Sequence, residues 1–230
     1  MVKIIDGNFG NMESFPSFAP LMSDATPKDR IKIAAHDLVM QYSVRSVSMD
    51  DIASKVGMSK KTIYQYFRDK DELVEAVVED VLTKNECNCD IDRKNAENAV
   101  HEVFLSMDML TEMFRSMNAS VIYDLEKYHP KAFQKFLQYK NQYLYNVIKD
   151  NLKRGISEEL YRSEINIEIL SRYRLELMLL PFNPEFLRAS KANLLEAEQE
   201  MITHFLFGLV NLKGFKLILK YQAQREKENK

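Results

Sequence analysis

The sequence predicts an all-α protein: an N-terminal helix-turn-helix unit followed by a larger helical region. Three observations carry this reading. Apolar residues recur at three- and four-residue spacing from Pro27 almost to the end of the 230-residue chain. Gly and Pro are scarce, six of each, and Val, Ile and Thr do not alternate with polar residues over any long stretch, so strands have little support. Gly57 stands between two short periodic segments, as glycine does where a chain turns through positive φ.

Composition narrows the function classes. With 46% hydrophobic residues the chain can bury a sizeable core. Charged residues make up 29% but nearly cancel, leaving a formal net charge of -2. Any anion-binding site must therefore be local. Cys87 and Cys89 are one residue apart, a poor spacing for a disulfide, which argues against a secreted, stapled protein. No run of eighteen apolar residues exists to span a membrane. The opening MVKIIDGNFGNMESF lacks the basic and apolar regions of a signal peptide. The expected location is cytoplasmic.

Taken in order, residues 1–27 show no helical period and read as a flexible N-terminal arm, with Met12 and Met22 as alternative starts. A DNA-binding unit is expected over 28–83. Its first helix follows Pro27 and carries Ile31, Ala34, Ala35, Leu38 and Tyr42. Ser48 is placed to cap a second helix, with Asp51 as the reciprocal carboxylate and Gly57 at its end. Ser59 caps a third, to about Phe67, and Asp69 a fourth with Leu73, Val74, Val77, Val78 and Val81.

Residues 84–230 read as a second, helical domain. Helices are expected over about 95–117, 119–128, 131–154, 166–180, 191–209 and 212–224, as order-of-magnitude boundaries. Gly155 marks the end of the third of these, and PFNP breaks the fourth.

A helix, a glycine turn and a second helix form the layout whose second helix meets base edges with its N-terminal residues. Here that helix opens Ser59-Lys60-Lys61-Thr62. Lys55, Lys60, Lys61, Arg68 and Lys70 cluster around it against Asp69 alone, and the acids follow from Asp71 onward. Such a handful of cations suffices to neutralise phosphates and release counterions.

The segment SMDDIASKVGMSKKTIYQYFRDKDEL, Ser48 to Leu73, resembles the TetR family of transcriptional regulators. The likeness is strong over about 28–82 and implies that Lys60, Lys61 and Thr62 face bases or phosphates. Gln65 and Tyr66 would lie along the groove, Tyr64 and Lys70 would hold phosphates, and Ser48 and Met49 would open the supporting helix against the backbone. Met49 stands where the family often has a threonine, and it cannot donate a hydrogen bond.

The resemblance further implies that the C-terminal half binds a small effector and forms a homodimer on a near-palindromic double-stranded operator, commonly as a repressor. The segment 194–221 is apolar on more than one face, as either a central core or a face covered by a second chain would be. Ile202, Phe205, Leu206, Leu209, Leu212 and Phe215 are the expected dimer contacts. Met107, Phe114, Met117, Tyr123, Tyr145, Tyr173 and Met178 suggest an apolar or aromatic effector, since methionine adapts and tyrosine adds a polar handle.

Other chemistry finds little support. No Gly-rich phosphate loop, nucleophile elbow or HExxH is present, and His36, His101, His129 and His204 are scattered, so no enzyme is read here. The acid pairs stand at helix starts, where the macrodipole explains them. Cys87 and Cys89 make only one pair where structural zinc needs four ligands, so neither a metal nor a cofactor is expected. They read as part of a polar connector between domains. A helical interaction protein with a purely structural helix-turn-helix is the remaining rival, and salt-sensitive, sequence-selective DNA binding separates the two.

Overall fold

The computed structural model describes residues 25–228 apart from Ser116. The expected arm and the alternative starts at Met12 and Met22 lie outside the described residues, save for residues 25–27. Twelve α-helices are found among the described residues, with an isolated antiparallel bridge between Tyr161 and Val210. No described helix is long and apolar enough to cross a membrane.

Local chemistry sets the first four starts. Thr26 and Asp29 form a capping box at α1 (Pro27–Tyr42), and Ser48 and Asp51 form another at α2 (Met49–Val56). Gly57 closes α2 at φ 70°. Ser59 accepts from the Thr62 amide at α3 (Lys60–Tyr66), and Asp69 accepts from the Glu72 amide at α4 (Lys70–Asn95). Each cap satisfies an amide that the helix itself leaves unpaired, typically worth about 1 kcal/mol.

Ile31, Ile52, Ile63, Phe67 and Leu73 are all but fully buried in one shared core. Burying a side chain of this size contributes roughly 2–3 kcal/mol. Ile63 and Phe67 therefore clamp α3 from behind. The same core takes in Val121, Leu125 and Ala132, so the N-terminal helices rest directly on α6 (Val121–Tyr128) and α7 (Pro130–Tyr139). Hydrogen bonds from the Asn118 amide to Met40 O, at 2.7 Å, and from Ser43 Oγ to Asp124 reinforce this junction.

α4 runs 26 residues without a break, about 39 Å at the helical rise. This corrects the reading of Cys87 and Cys89 as a polar connector. Both lie on α4, Cys87 exposed and Cys89 partly buried, and burial pushes the Cys89 thiol up to about 12.

α5 (Ala99–Arg115), α8 (Tyr145–Ser157), α9 (Ile167–Leu177), α11 (Leu194–Leu209) and α12 (Leu212–Glu228) build the rest of the body, with α11, α12 and α8 all packed on α5. The single helix expected over 131–154 is interrupted. A π-helical turn at Lys140–Leu144 joins α7 to α8. Gly155 does not end α8, which continues to Ser157. A Cβ there would lie 2.1 Å from the Tyr161 ring, so this glycine serves a close approach rather than a turn. α9 ends at Leu177, short of PFNP; a 3-10 turn at Leu180–Phe182 follows, and Asn183 and Pro184 start α10 (Pro184–Ser190), which the sequence pattern had concealed.

Candidate DNA-binding surface and interior cavity

α3 divides along its length. Ile63 is 0% exposed, while Lys60, Lys61, Tyr64, Gln65 and Tyr66 all reach solvent and Thr62 is half-buried. Tyr66 is on the outside at 37% exposure. Lys60 is engaged within the chain: its Nζ lies 2.7 Å from Asp50 Oδ2 on α2, and this carboxylate holds the amine above its ordinary range. Arg68 is paired with Asp69 at 2.9 Å. Among the described residues Lys61 makes no ion pair, which leaves its charge pointing to water.

Two expected contacts change character. Met49 is buried and packs in the N-terminal core, because the first turn of α2 tucks its side chain beneath the helix. Its side chain is therefore a core group and not a backbone contact. Lys70 is partly buried and its Nζ donates to Val44 O at 2.5 Å, while burial lowers its pKa. It ties α4 to the α1–α2 loop instead of extending toward a phosphate. Ser48 is exposed but donates its hydroxyl to Asp51 Oδ2 at 2.6 Å, so the cap already uses that proton.

A cavity of about 240 Å³ lies within the helical body. It is walled mainly by apolar side chains of α4 and α5, among them Val74, Val77, Val78, Val103, Met109 and Met113. Of the expected pocket residues, Phe114, Met117 and Met178 line it. Met107 is buried in the neighbouring cluster with Phe114 and Ile202, outside the lining. Tyr123, Tyr145 and Tyr173 are corrected, since none lines the cavity. Tyr123 and Tyr173 are about half exposed, and the Tyr145 hydroxyl is turned to Glu168. Their polar tips are better served by water or a surface carboxylate than by an apolar interior.

The lining also reaches Ala35, Val39, Ile52 and Leu73 in the N-terminal core. Sequence reading missed its charged members, above all Arg174 on α9 and Glu198 on α11. The pair meets at 2.5 Å with both side chains nearly inaccessible. A signal was present: Leu194, Glu198, Ile202 and Leu206 follow at i+4, a carboxylate set into an apolar face.

The apolar C-terminal stripe also divides. Ile202, Leu206 and Leu209 are buried within the single chain, which removes them as contacts for a second one, and Phe205 is half-buried beside Tyr173. Leu212, Phe215 and Leu219 on α12 are 72%, 41% and 48% exposed. Their i, i+3, i+7 spacing puts them on one face.

Residues 33–77 match the family model described as bacterial regulatory proteins, tetR family. The uncharacterised HTH-type transcriptional regulator YvaF of Bacillus subtilis (strain 168) is 34% identical over 89 residues, covering 38% of this chain. That match spans about half of the relative, 47% of its length. A TetR-family regulator from Agrobacterium tumefaciens superposes with TM-score 0.67 at 15% identity, over 80% of this chain and 97% of that one. The transcriptional regulator FadR from Bacillus subtilis, solved in complex with stearoyl-CoA, superposes at 0.56 and 12% identity over 76% and 96%.

The class is thus a helix-turn-helix domain set on a larger all-helical body, a fold shared with regulators of transcription. Residues 33–77 thus carry the N-terminal domain of the TetR family, and the chain shares its fold with a solved TetR-family regulator.

Proposed function

We propose that the protein is a ligand-responsive transcriptional regulator, acting as a repressor, that binds a near-palindromic operator as a homodimer. A small apolar molecule in the cavity releases it. The observation that carries this is α3 itself, clamped from behind by Ile63 and Phe67 while Lys60, Lys61, Tyr64, Gln65 and Tyr66 stand in solvent. Lys60, Lys61, Thr62, Gln65 and Tyr66 are assigned to the groove, and Tyr64 to phosphates. A twofold dimer would set two such helices about 34–36 Å apart, one DNA turn.

The division of labour runs through α4, with DNA binding in residues 28–83 and effector and partner binding in 84–230. Because one helix spans both parts and the cavity lining includes Ile52 and Leu73, filling the cavity bears on the scaffold of α3. A ligand acts as an inducer only when it binds the released state more tightly than the DNA-bound one. The exposed apolar face of α12 supports dimerisation, and the apolar walls support a hydrophobic effector.

Fluorescence anisotropy with labelled operator tests the reading. Affinity should fall steeply with salt, as phosphate neutralisation requires. Replacing Lys60 and Lys61 together by Ala should abolish selective binding while circular dichroism stays unchanged. Selective binding that survives the double replacement would remove α3 as the reading element.

A further inference from the structure

The cavity holds a detail that its apolar walls do not explain. Arg174 Nη2 bonds Glu198 Oε1 at 2.5 Å. Among the described residues, Arg174 Nη1 and Glu198 Oε2 make no hydrogen bond, and both atoms are buried. Arg174 is 7% and Glu198 2% exposed, and both residues line the cavity. A buried donor and a buried acceptor left unmet are each costly. Carried by the two partners of one ion pair, they offer a donor and an acceptor to a group that both accepts and donates.

The charge around this site is already balanced. Arg174 pairs with Glu198, Lys140 with Glu176 at 3.0 Å, and Glu102 with Arg154 at 3.0 Å. Lys70 donates to Val44 O, with Asp71, Asp124 and Asp51 as its nearby charges. Arg174 and Lys140 in the lining are ion-paired, and Lys70, which forms no ion pair among the described residues, is turned to Val44 O, so an anionic group placed at Arg174 would meet Glu198 uncompensated. Size sets a further bound. A cavity of about 150 Å³ admits benzene, so 240 Å³ suits about ten non-hydrogen atoms.

From these observations we infer that the effector is an uncharged, medium-length apolar alcohol, its hydroxyl accepting from Arg174 Nη1 and donating to Glu198 Oε2. This rests on the reading of the cavity as the effector site, and it adds the ligand's chemical class and its anchor.

The test uses the full chain loaded with the neutral dye N-phenylnaphthylamine, displaced in turn by decanol, decyl methyl ether and decanoate. Decanol both donates and accepts, the ether only accepts, and decanoate accepts and is charged. Decanol should bind about tenfold more tightly than either, one charge-assisted hydrogen bond converted to affinity. In the double variant Arg174→Met, Glu198→Met that advantage should vanish while the dye still binds. Apolar replacement of a buried ion pair commonly preserves the fold, and circular dichroism verifies that it does. In Glu198→Gln the site turns net positive, and decanoate should become the tightest of the three.

Decanoate equalling decanol in the unaltered protein, or a decanol advantage that persists in the double variant, would overturn the anchor. No dye uptake would overturn anchor and cavity site together. Decanol binding without release of operator would leave the anchor standing and defeat the effector reading alone.

Discussion

Lys60 shows how one side chain can hold two appointments. Its amine sits on Asp50 at 2.7 Å, with both groups in solvent. A phosphate arriving at α3 must compete with that carboxylate, which also repels it. Asp50→Asn is therefore expected to raise operator affinity by about three- to tenfold and to steepen its salt dependence, since Lys60 becomes free to displace counterions. Titrations across a salt series check this, and unchanged affinity would mean that Lys60 stays clear of the DNA. Asp92 makes a separate residue-scale prediction. It is 7% exposed, and its Oδ2 has no hydrogen-bond partner among the described residues. Burial first, then Asp108 and Glu102, push its carboxyl up to about 6. A folded-state pKa above the unfolded value favours the fold at low pH, and that contribution is lost as pH rises through about 6. Asp92→Asn should thus stabilise the protein at pH 8 by about 1–2 kcal/mol, allowing for solvent screening, and the gain should fade toward pH 4. Urea unfolding at both pH values measures it.

At the scale of elements, two glycines that look alike in sequence do different work. Gly57 sits at φ 70° with nothing within 4 Å of a notional Cβ, so Gly57→Ala carries only a backbone cost of about 1–2 kcal/mol. Gly155 is helical, but a Cβ there meets the ring of Tyr161, itself held by hydrogen bonds to Ala99 O and Asn151 Oδ1. Gly155→Ala should cost about 1–3 kcal/mol by overpacking, the larger loss of the two in urea midpoints. The contrast marks what was legible beforehand. Thr26 aside, the first four caps and the Gly57 turn could be read, because they depend on side chains within four residues of each other. The role of Gly155 depends on Tyr161 folding back over α8, and the π turn at Lys140–Leu144 has no local signature. Pro184 looked like a breaker, yet it opens α10 at the first-turn position where proline is tolerated. The tyrosines failed as pocket markers for a related reason: helical spacing says which residues share a face but not what that face meets. Met113, Phe114 and Met117 share a short stretch of sequence and reach the cavity together, whereas Tyr123 and Tyr173 turn outward.

For the whole molecule, the DNA-binding helices and the cavity belong to one packed unit, because Val121, Leu125 and Ala132 complete the N-terminal core. The proposed dimer requires one more surface, and Leu212, Phe215 and Leu219 are the exposed apolar residues aligned for it on α12. Replacing all three by Ser should leave the fold intact and convert the dimer to a monomer in light scattering. Operator affinity should fall at least about tenfold, since the second half-site would no longer be held in register. A dimer that persists would move the interface elsewhere. The central claim is that α3 reads a specific duplex, and footprinting of the purified protein on the DNA upstream of its own gene addresses it most directly. The expected result is a protected near-palindrome whose two halves are centred about one helical turn apart, or a whole multiple of it, lost on replacing Lys60 and Lys61 by Ala. Protection without sequence preference, or a footprint unchanged by that replacement, would contradict the account.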